Sequence, residues 1–252
     1  MIKILTLLTL FVLLFPMNRC FGQENAQPDY DGNSTLNPLL EKELEDAGIA
    51  KDALTRDMSN FHDGNFKLTD ALISAVMSDR LFFNNPEIRE NLKNNINNNK
   101  TLIFPWSNTG TVKLVKEDGN LLAELYQDGD DDVSLSQGIS FRGSNAVIRF
   151  YLETVNTNPD DALKVEMRYT GADSEPKTIV LGTYNLSNLS RQNNLTIDLS
   201  QKSRFISALR ELKGSVGGYQ PIVDVVFRLE GKKNKDKPTT IRLGNFNISY
   251  TN

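Results

Sequence analysis

From Leu81 to the C-terminus the chain repeats one pattern: short segments of alternating or β-branched apolar residues, each closed by a turn signal. The segments run Thr111–Val115, Leu121–Tyr126, Val133–Phe141, Ala146–Glu153, Leu163–Tyr169, Thr178–Tyr184, Leu195–Leu199, Ile222–Glu230 and Thr239–Tyr250. Asp118-Gly119-Asn120, Asp128-Gly129-Asp130, Gly143-Ser144-Asn145 and Asn158-Pro159-Asp160 fall between them. A period of two puts successive side chains on opposite faces of a strand, and many short strands at this spacing predict a mainly β, antiparallel sandwich or barrel. One helical interruption is expected in SRFISALRELKG, where Phe205, Leu209 and Leu212 recur at helical spacing.

Alternation also sorts the faces. In Ala146–Glu153, Ala146, Ile148, Phe150 and Leu152 oppose Val147, Arg149, Tyr151 and Glu153. In Leu163–Tyr169 the polar set is Lys164, Glu166 and Arg168; in Ile222–Glu230 it contains Asp224, Val226, Arg228 and Glu230. Tyr151 with Arg149, joined by Arg168, Asp224 and Arg228 from flanking strands, is the candidate surface for a polyhydroxylated or acidic saccharide, because an aromatic ring beside charged groups suits such a ligand. The alternative for these residues is a solvated face laced with cross-strand ion pairs.

The N-terminus reads differently. Lys3 precedes the apolar run Ile4–Leu14, and Cys20-Phe21-Gly22 follows; this order predicts a secretory signal over residues 1–22, cleaved after Gly22, and places the mature protein outside the cell or in a periplasm. The rival is a lipoprotein signal in which Cys20 is lipidated, with Arg19 standing where a small residue is expected. The run is too short to cross a bilayer comfortably, and no transmembrane segment is expected after its removal. Cleavage removes the chain's one cysteine, so the mature protein must be held by its core, by a metal or by both. It also removes two of the 28 basic residues and none of the 32 acidic ones, moving the formal charge from −4 to −6, which argues against nucleic acid as a partner. Sequons stand at Asn33, Asn99, Asn185, Asn188, Asn194 and Asn247.

Residues 23–37 are polar and rich in turn formers, and predict a flexible linker. Residues 38–80 predict a helical segment: Leu40, Leu44 and Ala47 in a first helix, a second from Ala50 to Met58, and a third capped by Thr69 and carrying Leu72, Ala75 and Val76. Residues 81–252 form the predicted β-sandwich.

Several motifs in that last region resemble a known family. LFFNNPEIRE (81–90) looks like the opening strand of galactose-binding-like jelly rolls found among carbohydrate-binding modules. Trp106 follows in FPW, VSLSQGISF (133–141) is similar to the family's Gln-containing segment, and IRLGNFNIS (241–249) resembles its closing strand. The resemblance spans about two thirds of the chain and implies a jelly-roll β-sandwich with carbohydrate as partner. It also implies a structural calcium, with Glu87 as first-strand ligand and Asn245 standing where the family has an acidic residue. Trp106 is either a sugar-stacking platform or part of the packing.

A second candidate calcium position is the dense carboxylate loop of Asp128, Asp130, Asp131 and Asp132, equally readable as a charged turn. His62, the only histidine, gives no support to zinc or to a triad. No nucleophile elbow, phosphate loop or zinc motif is present, and no carboxylate pair has the apolar surround of a glycosidase. A secreted, non-catalytic carbohydrate-binding protein is therefore the expectation. A surface protein binding other extracellular proteins is the alternative, and a polysaccharide-active lyase or hydrolase the minority reading.

Overall fold

The computed structural model describes residues 33–34, 56–78, 87, 90, 93–94, 106–129, 132–215, 221–231 and 237–251. The expected export segment, most of the expected linker and the first expected helix lie outside these residues. Two compact units are present: one of residues 1–57 and 70–98, the other of 58–69 and 99–252.

In the first unit, β1 (Asn33–Ser34) pairs with β2 (Arg56–Asp57). The described end of the expected Ala50–Met58 helix is therefore a short strand. Glu87 and Glu90 are helical, so the described part of the 81–90 segment is not the opening strand that the resemblance implied. Helix α1 (Lys67–Met77) begins within residues 58–69 of the second unit, two residues before the expected Thr69 cap. Its start is capped from a distance: Asp63 accepts hydrogen bonds from the Leu68 and Thr69 amides at 2.9 and 3.0 Å, satisfying donors that have no partner within the helix.

The second unit is the sandwich. Sheet I has the order β10 (Gln192–Asp198), β7 (Ala146–Asn156), β12 (Thr239–Tyr250), β5 (Asn120–Gln127) and β4 (Thr111–Glu117). Sheet II has the order β3 (Ser107–Thr109), β6 (Val133–Ile139), β11 (Val223–Glu230), β8 (Ala162–Thr170) and β9 (Pro176–Asn185). Every described pairing is antiparallel, and each strand expected from Thr111 onward is present. Helix α2 (Ser203–Ser215) is the expected interruption; its Phe205 meets Phe141 edge-on at 5.0 Å.

The alternating apolar residues fill the space between the sheets. Ile148, Phe150 and Leu152 of β7 face Val165 and Met167 of β8 and Val225 and Phe227 of β11 in one buried cluster. Trp106 belongs to that cluster: it is 5% exposed, stacks on Phe61 at 5.3 Å and approaches Phe246 at 4.5 Å. Its indole N–H donates to the Asp63 carbonyl at 3.3 Å. Of the two readings open for Trp106, packing is the one its position supports, since a buried ring offers no face to a sugar.

Residues 59–68 lie between the second and third helices expected from the sequence. Up to Phe66 they are a chain of turns sewn to the sandwich. Phe246 donates its amide to the Gly64 carbonyl at 2.9 Å, Ile248 to the Asn60 side chain at 2.6 Å, and Ser140 to the Met58 carbonyl at 2.6 Å. Phe61 and Phe66 enter the core as a result. The segment's sequence offers a hydrophobic pair at non-helical spacing, and burial of the two rings fixes it against the sandwich.

A buried polar cluster ties the β7–β8 loop to β12. Asp161, fully buried, accepts from the Asn158 amide at 2.6 Å and the Thr239 hydroxyl at 2.6 Å.

Candidate functional site

Sheet I has a polar outer face built by cross-strand register. One row runs Gln192, Glu153, Arg242, Glu124 and Lys113 across all five strands. Opposite charges alternate along it: Lys113 pairs with Glu124 at 2.9 Å, and Arg242 with Glu124 at 2.8 Å and with Glu153 at 3.4 Å. Glu153 is 1% exposed and also accepts from Arg191 at 3.1 Å, so this buried carboxylate is doubly compensated.

From β7 inward the neighbouring row is apolar. Tyr151 of β7 faces Gly244 of β12, and beyond Gly244 lies Leu122 of β5. A Cβ on Gly244 would come within 2.7 Å of the Leu122 side chain, so the absence of a side chain there lets Leu122 settle over the strand. The result is a floor beside the Tyr151 ring.

The face is hollowed. Strands β4 and β10 are the two edges of sheet I, about 19 Å apart if the sheet were flat. Glu117 at the end of β4 nevertheless reaches Arg191, just before β10, at 3.7 Å, and also bonds Arg242 in the middle of the sheet. The β4–β5 hairpin therefore curls over the face. Its turn residues Asp118 and Gly119 both have positive φ (49° and 81°), the signature of a tight hairpin turn.

A bulge completes the arrangement. Between Gly244 and Asn247, β12 carries one residue more than β7 does between Tyr151 and Arg149. Asn245 there has φ 53° and is exposed, while the next residue, Phe246, turns into the core.

These features enclose a cleft of about 190 Å³, lined by Glu117, Asp118, Asn120, Leu122, Tyr151, Glu153, Gln192 and Asn245. Burial is the main cause that raises the Tyr151 phenol above its ordinary value; Glu153 adds to it, Arg191 opposes it and Asp118 adds a little. The hydroxyl is thus a neutral donor and acceptor at ordinary pH. Three side-chain amides and three carboxylates surround one ring and one leucine.

The residues grouped in the sequence reading divide between the two faces of the sandwich. Tyr151 and Arg149 share the outer face of sheet I, with Arg149 outside the cleft and donating to Ser249. Arg168, Asp224 and Arg228 lie on the outer face of sheet II. There Arg228 and Arg168 are engaged by Glu166, at 2.6 and 3.0 Å, and Arg228 also meets Glu230 at 2.8 Å, itself paired with Lys164 at 2.6 Å. Burial alone would raise the Glu166 carboxyl, but hydrogen bonds from Arg228 and then Arg168 outweigh it and hold it below the ordinary range. This is the ion-pair lacing that alternation left as the alternative.

Asn245, expected as a calcium ligand, lines the cleft. Glu87 is exposed in the other unit. Asp128 and Asp132 are exposed; Asp130 and Asp131 lie outside the described residues. Among the described residues no group of three or more His, Cys, Asp or Glu side chains is placed to hold a metal ion. No described helix is long and apolar enough to cross a membrane.

Glu117, Asp118, Asn120, Leu122 and Gln192 were not singled out as site residues in the sequence, where Asp118 and Asn120 mark only a turn. Only Glu153 carried a signal, by its place two residues from Tyr151 on the same face.

No family model matches the chain, and no curated protein matches it. Among solved structures the sandwich resembles carbohydrate-binding modules. One is TmCBM61 in complex with beta-1,4-galactotriose, at 12% identity and TM-score 0.36, covering 59% of this chain and 90% of that one. Another is the CBM22-1 xylan-binding domain from Paenibacillus barcinonensis Xyn10C, at 11% identity and TM-score 0.38, covering 60% and 89%. A third is the xylan-binding module CBM15, at 14% identity and TM-score 0.37, covering 58% and 90%.

Proposed function

We propose that this chain is an exported, non-catalytic protein that binds a carbohydrate in the hollow of sheet I. The observation that carries this reading is the cleft itself: an accessible aromatic ring on an apolar floor, ringed by side-chain amides and carboxylates. A sugar presents an apolar C–H face to the ring and pairs of hydroxyls to the rim. Amides serve these as both donors and acceptors, and carboxylates accept from two hydroxyls at once. The cleft's volume of about 190 Å³ lies below the roughly 300 Å³ of a drug-sized site, and suits a single sugar unit of a longer chain.

Binding is tested by a glycan array followed by titration calorimetry on the full mature chain. A hit that Tyr151→Ala weakens about tenfold, and that Tyr151→Phe largely retains, supports the site; an aromatic contact contributes on this scale beyond buried area. Silence across plant, algal, microbial and host glycans overturns it. Export is tested by sequencing the N-terminus of protein recovered from outside the producing cell, with Gln23 as the expected first residue.

A further inference from the structure

The charge around the cleft narrows the ligand class. Resting on the carbohydrate reading, we infer that the cleft takes saccharide units without acidic groups and excludes uronic acids and sulfated sugars.

Among the described residues no basic side chain lines the cleft, whereas Glu117, Asp118 and Glu153 do. Nearby cations are already engaged from below and from the rim. Arg242 bonds Glu117, Glu124 and Glu153; Arg191 bonds Glu117 and Glu153; Lys113 bonds Glu124. Four carboxylates therefore stand against three basic groups, and the surplus one is Asp118, exposed on the turn that overhangs the cleft. A carboxylate or sulfate brought there meets net negative charge in a site partly walled from water, where like charges repel more strongly than in bulk. A hydroxyl has no such cost, and donates to the same oxygens.

Arg149 is a further cation on this face. It sits one row away, outside the cleft, and donates to Ser249.

The test compares matched ligands on the full mature chain by calorimetry: neutral gluco-, xylo-, manno- and galacto-oligosaccharides against galacturonic, glucuronic and sulfated oligosaccharides of the same length. The expected result is binding to a neutral set member, with acidic counterparts at least tenfold weaker. Any residual acidic binding should strengthen from 20 to 500 mM salt as repulsion is screened, while neutral binding stays flat. Asp118→Asn, at a positive-φ position that asparagine tolerates, should narrow the gap between the two sets. Tyr151-dependent binding that favours acidic sugars, weakens with salt and is lost in Arg149→Ala overturns the charge selection and leaves the carbohydrate reading standing. No binding to either set overturns both.

Discussion

Gln137 clamps the backbone of His62: its side-chain oxygen accepts from the His62 amide at 2.6 Å, and its side-chain nitrogen donates to the His62 carbonyl at 2.9 Å. Gln137 itself is 3% exposed. Gln137→Ala takes the side-chain partner from both backbone groups of residue 62, at about 1–3 kcal/mol for a group kept from water. The expected outcome in urea unfolding is a loss on the order of 2–4 kcal/mol with an unchanged slope. A midpoint that does not move would show that residues 58–66 are dispensable to the sandwich.

That clamp marks how far the sequence could be read. Strand order in time, face alternation and helix α2 were legible because a period of two and turn residues act locally. The role of Gln137 was not, because its partner lies 75 residues away and the segment around His62 has no period at all. The same limit separates the two halves of the expected site. Alternation shows that Tyr151 and Arg228 both point away from the core, yet only the strand order shows that they do so on opposite sheets. The cleft depends on still finer facts: a one-residue bulge at Asn245 and a curl that brings Glu117 to Arg191. No pattern in a single sequence encodes either.

Gly64 has no room for a side chain. A Cβ there would lie 2.1 Å from the Phe246 carbonyl oxygen, a backbone atom held in β12. Gly64→Ala must therefore displace the segment that carries Phe61 and Phe66 out of the core, or shift the strand that shapes the bulge. Overpacking of this kind costs about 1–3 kcal/mol, and lost burial of the phenylalanines adds to it. Thermal unfolding should show a drop of several degrees or more. A variant as stable as the parent would mean that the Gly64–Phe246 approach is not kept in solution.

Asn194, in a sequon, stands directly across from Tyr151 on the edge strand β10 and is exposed. A glycan attached there would stand over the approach to the ring. Protein made in a glycosylating host should bind its sugar ligand more weakly than the same chain from a host without the machinery. Asn194→Gln should remove most of the difference, and mass spectrometry reports whether the site is occupied. Equal binding by fully occupied and unmodified protein would place the ligand elsewhere.

Glu166 makes the outer face of sheet II sensitive to acid. Its carboxyl is held below the ordinary range because the bonds from Arg228 and Arg168 outweigh burial. A carboxyl whose folded value lies below its unfolded value contributes its stability above the unfolded value, and loses it as pH falls through the folded one. The expected stability curve is therefore flat for this group near neutrality and falls below about pH 4. Glu166→Gln should remove that part of the acid slope. At neutral pH it should also cost on the order of 1–3 kcal/mol, because Arg228 and Arg168 lose their shared acceptor. High salt should change this cost little, since Glu166 is buried against both guanidinium groups. Urea midpoints of parent and variant between pH 2.5 and 7 decide it: parallel curves would show that the network contributes no proton-linked stability, and converging curves below pH 4 would show that it does.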